Sequence, residues 1–162
     1  MENKAEEYLG VDSIASLKPF KDCAGLYLTK FFTEMRDNAK FHAVKCPECK
    51  RLLFPPSIVC AFCKVKVSDE WVELSDKGTV VSSFEVLERE RDRVTGEIMG
   101  VPYLPVSIRL DGTDEFSSFD HFLEEADYNK VHKDMRVQAV WKPREERQGK
   151  MSDIKFFRII EE

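Results

Sequence analysis

The chain has 162 residues, is 43% hydrophobic and 34% charged, and carries a formal net charge of −5. That length supports one good core, or a moderate domain beside a small metal-stapled module. No apolar run approaches the ~20 residues of a membrane span, and the acidic balance argues against a nucleic-acid binder that works by neutralising phosphates. Met1–Glu7 are polar and acidic with no apolar stretch behind them, so no secretory signal is read and a cytoplasmic location is expected.

Residues 1–22 have weak periodicity and mixed charge, with Pro19 as a breaker, and read as an extension. From Ala24 to about Arg36 the pattern turns helical. Leu28, Phe31, Phe32 and Met35 fall at i, i+3, i+4 and i+7, one apolar stripe, with Asn38 as the stop. The stripe has two readings: it packs on the chain's own core, or it docks partly on a partner.

Phe41–Lys45 then reads as a short strand into two CxxC pairs, Cys46/Cys49 and Cys60/Cys63, separated by ten residues that include Pro55-Pro56. Thiolates two apart can share one tight turn and point at a single ion, and two such turns complete a tetrahedral sulfur cage. Disulfides at this density belong to small secreted domains. A redox dithiol needs only one pair. A structural metal on Cys46, Cys49, Cys60 and Cys63 is therefore expected, with zinc the default and iron open as an alternative. Four protein ligands leave no coordination position for a substrate.

Downstream the chain becomes β-rich. Trp71–Leu74 alternates, Thr79–Leu87 is rich in β-branched residues, and Pro102–Leu110 ends in the turn signal Asp111-Gly112. Arg136–Trp141 alternates, and in 154–160 Phe156, Arg158 and Ile160 stand in phase. Between them, 116–135 is ambiguous, a strand followed by a short helix. This set of elements predicts an OB-like barrel. The expected fold is mainly β with an N-terminal helical segment, a rubredoxin-like zinc ribbon and an OB-fold barrel. The corresponding divisions are 1–40, 41–67 and 68–162.

A family resemblance rests on the order Cys46, Cys49, Pro55, Pro56, Cys60, Cys63, Trp71, Ser75, Gly78, Thr79, Val80, Pro102, Tyr103, Leu110, Asp111 and Gly112. Met135 and Val137 continue it, with Asp134 where the family usually has Gly. This order resembles the acyl-CoA-associated zinc-ribbon/OB-fold family, catalogued as a domain of unknown function (number thirty-five), over about residues 24–160. Lys50 and Lys64 depart from it, standing where glycine often follows a CxxC pair, and 114–127 does not align cleanly. The resemblance implies a small accessory subunit of a thiolase, or of a related condensing enzyme or retro-aldolase. Such a subunit forms a hetero-oligomer with the catalytic chain, with acyl-CoA at or near the shared interface.

No catalytic residue is assigned. A thiolase needs a cysteine activated by histidine, and Cys23 has no histidine near it in sequence. His42, His121 and His132 read as packing or surface positions, and the adjacent Glu124 and Glu125 do not converge on one atom. Arg89, Arg91 and Arg93, and Lys142, Arg144, Arg147 and Lys150, either meet coenzyme A phosphates or lie in solvated hairpins neutralised by neighbouring acids. Two further readings stand beside the accessory subunit: a stand-alone acyl-CoA binder, and a single-stranded nucleic-acid module stacking bases on Phe84, Tyr103 and Trp141.

Overall fold

The computed structural model describes residues 10–15, 18–85, 104–124 and 127–161, with side chains from Ala24 onward. The chain forms two compact units, Met1–Glu73 with Pro143–Asp153, and Leu74–Lys142 with Ile154–Glu162. Among the described residues, no helix is long and apolar enough to cross a membrane.

The first unit opens with an antiparallel hairpin, β1 (Gly10–Ala15) and β2 (Lys18–Cys23), with Gly10 opposite Cys23 and Ala15 opposite Lys18. Helix α1 (Gly25–Asn38) follows. Phe31 and Met35 of its stripe are fully buried, while Leu28 and Phe32 are half-buried. The ring of Phe31 meets Phe54 edge-on at 5.7 Å, and Phe54 meets Phe41 at the same distance. Of the two readings of the stripe, packing on the chain's own core is the one realised for Phe31 and Met35.

The helix ends where Ala39 turns left-handed (φ 54°) and its N–H returns to the Met35 carbonyl at 3.2 Å. Arg147 donates to that same carbonyl at 3.1 Å, and Arg144 pairs with Asp37. Cations at a helix C-terminus complement its dipole, so segment 143–153 fastens the end of α1. The buried Asp153 carboxylate holds that segment in shape by accepting the N–H groups of Gln148, Gly149 and Lys150.

A three-stranded sheet in the order β4-β3-β5 completes this unit's strands: β3 (Phe41–Lys45), β4 (Leu52–Leu53) and β5 (Trp71–Leu74). Trp71–Leu74 therefore pairs with the ribbon strands. Its short alternation marks a strand but cannot say which neighbour it takes.

The second unit is a closed five-stranded barrel of β6 (Lys77–Ser83), β7 (Leu104–Leu110), β8 (Ser118–Leu123), β9 (Arg136–Trp141) and β10 (Ile154–Ile159). Strand β6 pairs with β7 and β9, β7 with β8, and β9 with β10, all antiparallel; a parallel contact of Phe157 with Leu123 closes β8 on β10. This is the OB order. The segment left ambiguous in sequence supplies β8, followed by a single 3-10 turn at Tyr128–Lys130.

Alternation along β7 buries Leu104, Val106, Ile108 and Leu110, and β9 adds Val137 and Ala139. In β10 a bulge falls between Ile154 and Phe156, and the adjacent Phe156 and Phe157, which point to opposite faces, are both buried. Arg158 shares the face of Phe156, as expected, with its guanidinium 5.9 Å from the centre of that ring, and it is exposed and paired with Glu124.

Candidate metal centre

Strand β3 delivers Cys46 to the first knuckle, and β4 returns beside it, Val44 opposite Leu53 and Lys45 opposite Leu52. The Cys46 N–H donates to the Arg51 carbonyl at 2.9 Å, and the Lys50 N–H donates back to the Cys46 carbonyl at 3.1 Å. The second knuckle repeats the pattern. Cys60 donates to the Val65 carbonyl at 3.0 Å, and Lys64 to the Cys60 carbonyl at 2.8 Å. Both turns close through a left-handed residue, Lys50 at φ 61° and Lys64 at φ 56°. These are the two positions where the sequence lacks the glycine expected after a CxxC pair. A Cβ in this conformation costs about 1 kcal/mol.

The two turns bring all four Sγ atoms within 4.8 Å of one another, with Cys49 and Cys60 at 3.9 Å. Sulfurs at the ~2.3 Å of a Zn–S bond would form a tetrahedron with edges of about 3.8 Å. The donor set and its spacing therefore fit a single tetrahedral ion. Cys46 and Cys60 are fully buried, and Cys49 and Cys63 half-buried. Val44 and Val67 pack around them, with Tyr27, Leu53, Val65 and Trp71 at the margin. Tyr27 reaches the Val67 carbonyl at 3.5 Å and stacks tilted on Trp71 at 5.6 Å, with the Lys30 ammonium 4.4 Å from the Trp71 ring.

The electrostatics point the same way. The neighbouring Cys49 thiol, with burial and then the Cys46 and Cys60 thiols, pushes the Cys63 thiol up to about 12. Four thiolates this close repel one another, and a divalent cation reverses that preference.

The remaining candidates do not form a second constellation among the described residues. Cys23 ends β2, and His42 lies on β3 in the first unit. His121 contacts the rings of Phe119 and Phe157 in the barrel, and His132 is exposed with Nδ1 2.9 Å from the Lys133 carbonyl. The Arg158 guanidinium engages Glu124 and holds its carboxyl below the usual range. Arg89, Arg91, Arg93, Tyr103 and Glu125 lie outside the described residues. Arg144 and Arg147 are engaged at the end of α1, Phe84 is exposed and Trp141 half-buried. The sequence reading missed Tyr27, although its spacing of four from Phe31 and eight from Met35 placed it on the buried face.

Several solved structures are similar to this chain, two of them as follows. One is a protein of unknown function from the DUF35 family of Sulfolobus solfataricus, at 19% identity over 83% of this chain and 84% of that one, with a TM-score of 0.56. The other is the Ltp2–ChsH2(DUF35) aldolase, at 20% identity over 80% of this chain and 92% of that one, with a TM-score of 0.53. No family model matches the chain, and no curated protein does. The chain therefore has the fold of the DUF35 proteins, a four-cysteine ribbon with an OB barrel.

Proposed function

We propose that this chain belongs to the DUF35 family and is a zinc-binding accessory subunit of an acyl-CoA thiolase complex in the cytoplasm. It supports thiolytic cleavage of a 3-oxoacyl-CoA by a partner chain, and carries no catalytic centre of its own. The carrying observation is the fold shared with the Ltp2–ChsH2(DUF35) aldolase, whose name joins a DUF35 component to a second component of an enzyme. The sulfur cluster supports the same reading. Cys46, Cys49, Cys60 and Cys63 would hold Zn2+, which supplies folding energy to the ribbon and, with four ligands, no open position for chemistry. Acyl-CoA binds at or near the interface with the catalytic chain. The narrower form of this proposal is that the complex is benzoylsuccinyl-CoA thiolase, with this chain as its small subunit.

The test is co-purification of the tagged chain from its native host, with mass spectrometry of what accompanies it and thiolysis assays on the single chain and the complex. A stoichiometric thiolase-like chain, with activity only in the complex, supports the reading. Turnover by the single chain, or purification with nucleic acid in place of protein, overturns it.

A further inference from the structure

The two knuckles share one backbone pattern, the same pair of hydrogen bonds and the same left-handed lysine. Their tips differ. The first reads Cys46-Pro47-Glu48-Cys49, the second Cys60-Ala61-Phe62-Cys63. Phe62 stands where the equivalent turn carries Glu48, so the turn itself does not require an aromatic there. Phe62 is 49% exposed, and Ile58 and Val59, in the segment entering the same knuckle, are 52% and 49% exposed. Three exposed large apolar side chains within five residues of chain are a candidate interaction surface.

The surroundings are cationic. Lys50, Lys64 and Lys66 are exposed, and the Arg51 guanidinium lies 4.1 Å from the centre of the Phe62 ring. Residues 45–66 hold five basic side chains against the single acid Glu48, a net +4 in a chain of net −5, so the remainder carries −9. Even with −2 assigned to a divalent ion on four thiolates, the ribbon stays at +2.

We infer that Ile58, Val59 and Phe62 form the docking surface of this chain, and that it seats in an apolar depression ringed by carboxylates on the catalytic partner. Aromatic and arginine side chains at the centre of such a patch carry most of an interface's energy, and the lysine rim steers and orients the encounter. This inference rests on the accessory-subunit reading and adds the surface through which it acts.

The experiment mixes the purified chain with the catalytic chain identified by co-purification and measures association by size-exclusion chromatography and calorimetry. Three variants are compared: Phe62→Ser, Ile58→Ser/Val59→Ser, and Glu48→Lys as a control at the first knuckle. Metal content and circular dichroism verify that each is folded. The expected result is association weakened roughly thirtyfold or more by Phe62→Ser, with metal retained. Glu48→Lys, which adds positive charge at the same ribbon, should not weaken association, and higher salt should weaken wild-type association. A folded Phe62→Ser protein and a folded double variant that both bind like wild type overturn the surface and leave the accessory role standing. Failure of the wild-type chain to associate with any catalytic chain overturns both.

Discussion

Asp111 and Arg136 meet face to face in the barrel, with Nη1 and Nη2 of the guanidinium each 2.7 Å from one carboxylate oxygen. Arg136 Nη1 also donates to the Gly78 carbonyl and the Thr79 hydroxyl, both at 3.1 Å. One side chain at the start of β9 thus binds the β7 turn and the β6 backbone, the two strands β9 must help align. It also joins two segments that carried the family resemblance, Leu110-Asp111-Gly112 and the Met135–Val137 entry.

The pair makes stability depend on pH. The Arg136 hydrogen bond holds the Asp111 carboxyl below its ordinary value near 3.8. The contribution is therefore complete above that value and fades as pH falls through the lower, folded-state value. The Asp111 side chain is 38% exposed, so Asp111→Asn should cost only about 1 kcal/mol at pH 7. Urea unfolding of the two proteins should give curves that converge as pH falls through that lowered, folded-state value. A gap unchanged at acid pH would mean the substitution acts through the turn and not through the charge.

Gly78 tests how closely the barrel strands approach. A Cβ there would lie 2.5 Å from the Arg109 carbonyl oxygen, a backbone atom that cannot rotate away. Gly78→Ala should destabilise the barrel by about 1–3 kcal/mol through this overlap. Denaturant midpoints measure it, with Gly112→Ala as the comparison. A Cβ at Gly112 would make only an ordinary contact, 3.7 Å from the Leu74 side chain, but φ there is 89°, so its cost comes from backbone conformation and should be nearer 1 kcal/mol. Equal stability of Gly78→Ala and wild type would show that β6 and β7 shift apart freely.

Much of this architecture is legible in the sequence because local chemistry fixes it. The CxxC spacing leaves few alternatives to a shared sulfur cluster, and Phe31 and Met35 lie on one helical face whatever they pack against. Alternation exposes β7 and β9 for the same reason. Pairing and phase are less visible. In β10 a bulge shifts the register before Phe156, and the adjacent Phe156 and Phe157 are both buried though they point to opposite faces; a period of two anticipates neither. Strand β8 mixes Asp120 and His121 among its phenylalanines, and only the inward register opposite Val106 and Ile108 explains His121 and Phe119. The β1–β2 hairpin includes a proline and several charges, so propensity gave no signal for it.

Loss of the metal should unfold the ribbon, because the sulfur cluster forms much of its small core. Structural zinc contributes about 10–16 kcal/mol at neutral pH in small modules of this kind. Cys46→Ser and Cys60→Ser, at the two fully buried positions, should abolish stoichiometric zinc and release Trp71. Trp71 fluorescence in a Trp141→Phe background reports the change. Acid should act in the same direction, since protons and metal compete for the thiolates. Retention of one zinc per chain by both serine variants would count against the four-cysteine assignment.

The left-handed lysines supply a gain-of-stability test. Glycine adopts φ near +60° without the Cβ clash that Lys64 bears at φ 56°. It also gives the unfolded chain more freedom, which offsets part of the gain. Lys64→Gly should therefore stabilise the ribbon by a few tenths of a kcal/mol to about 1 kcal/mol. Lys50→Gly should gain less, because the Lys50 ammonium donates to the Pro47 carbonyl at 2.6 Å and that bond would be lost. The half-time of zinc transfer to a chelator, read with the melting temperature, separates the two. Should Lys64→Gly lose zinc faster than wild type, the positive charge beside the thiolates matters more than the backbone strain. The lysines would then be part of how this ribbon holds a doubly negative metal site.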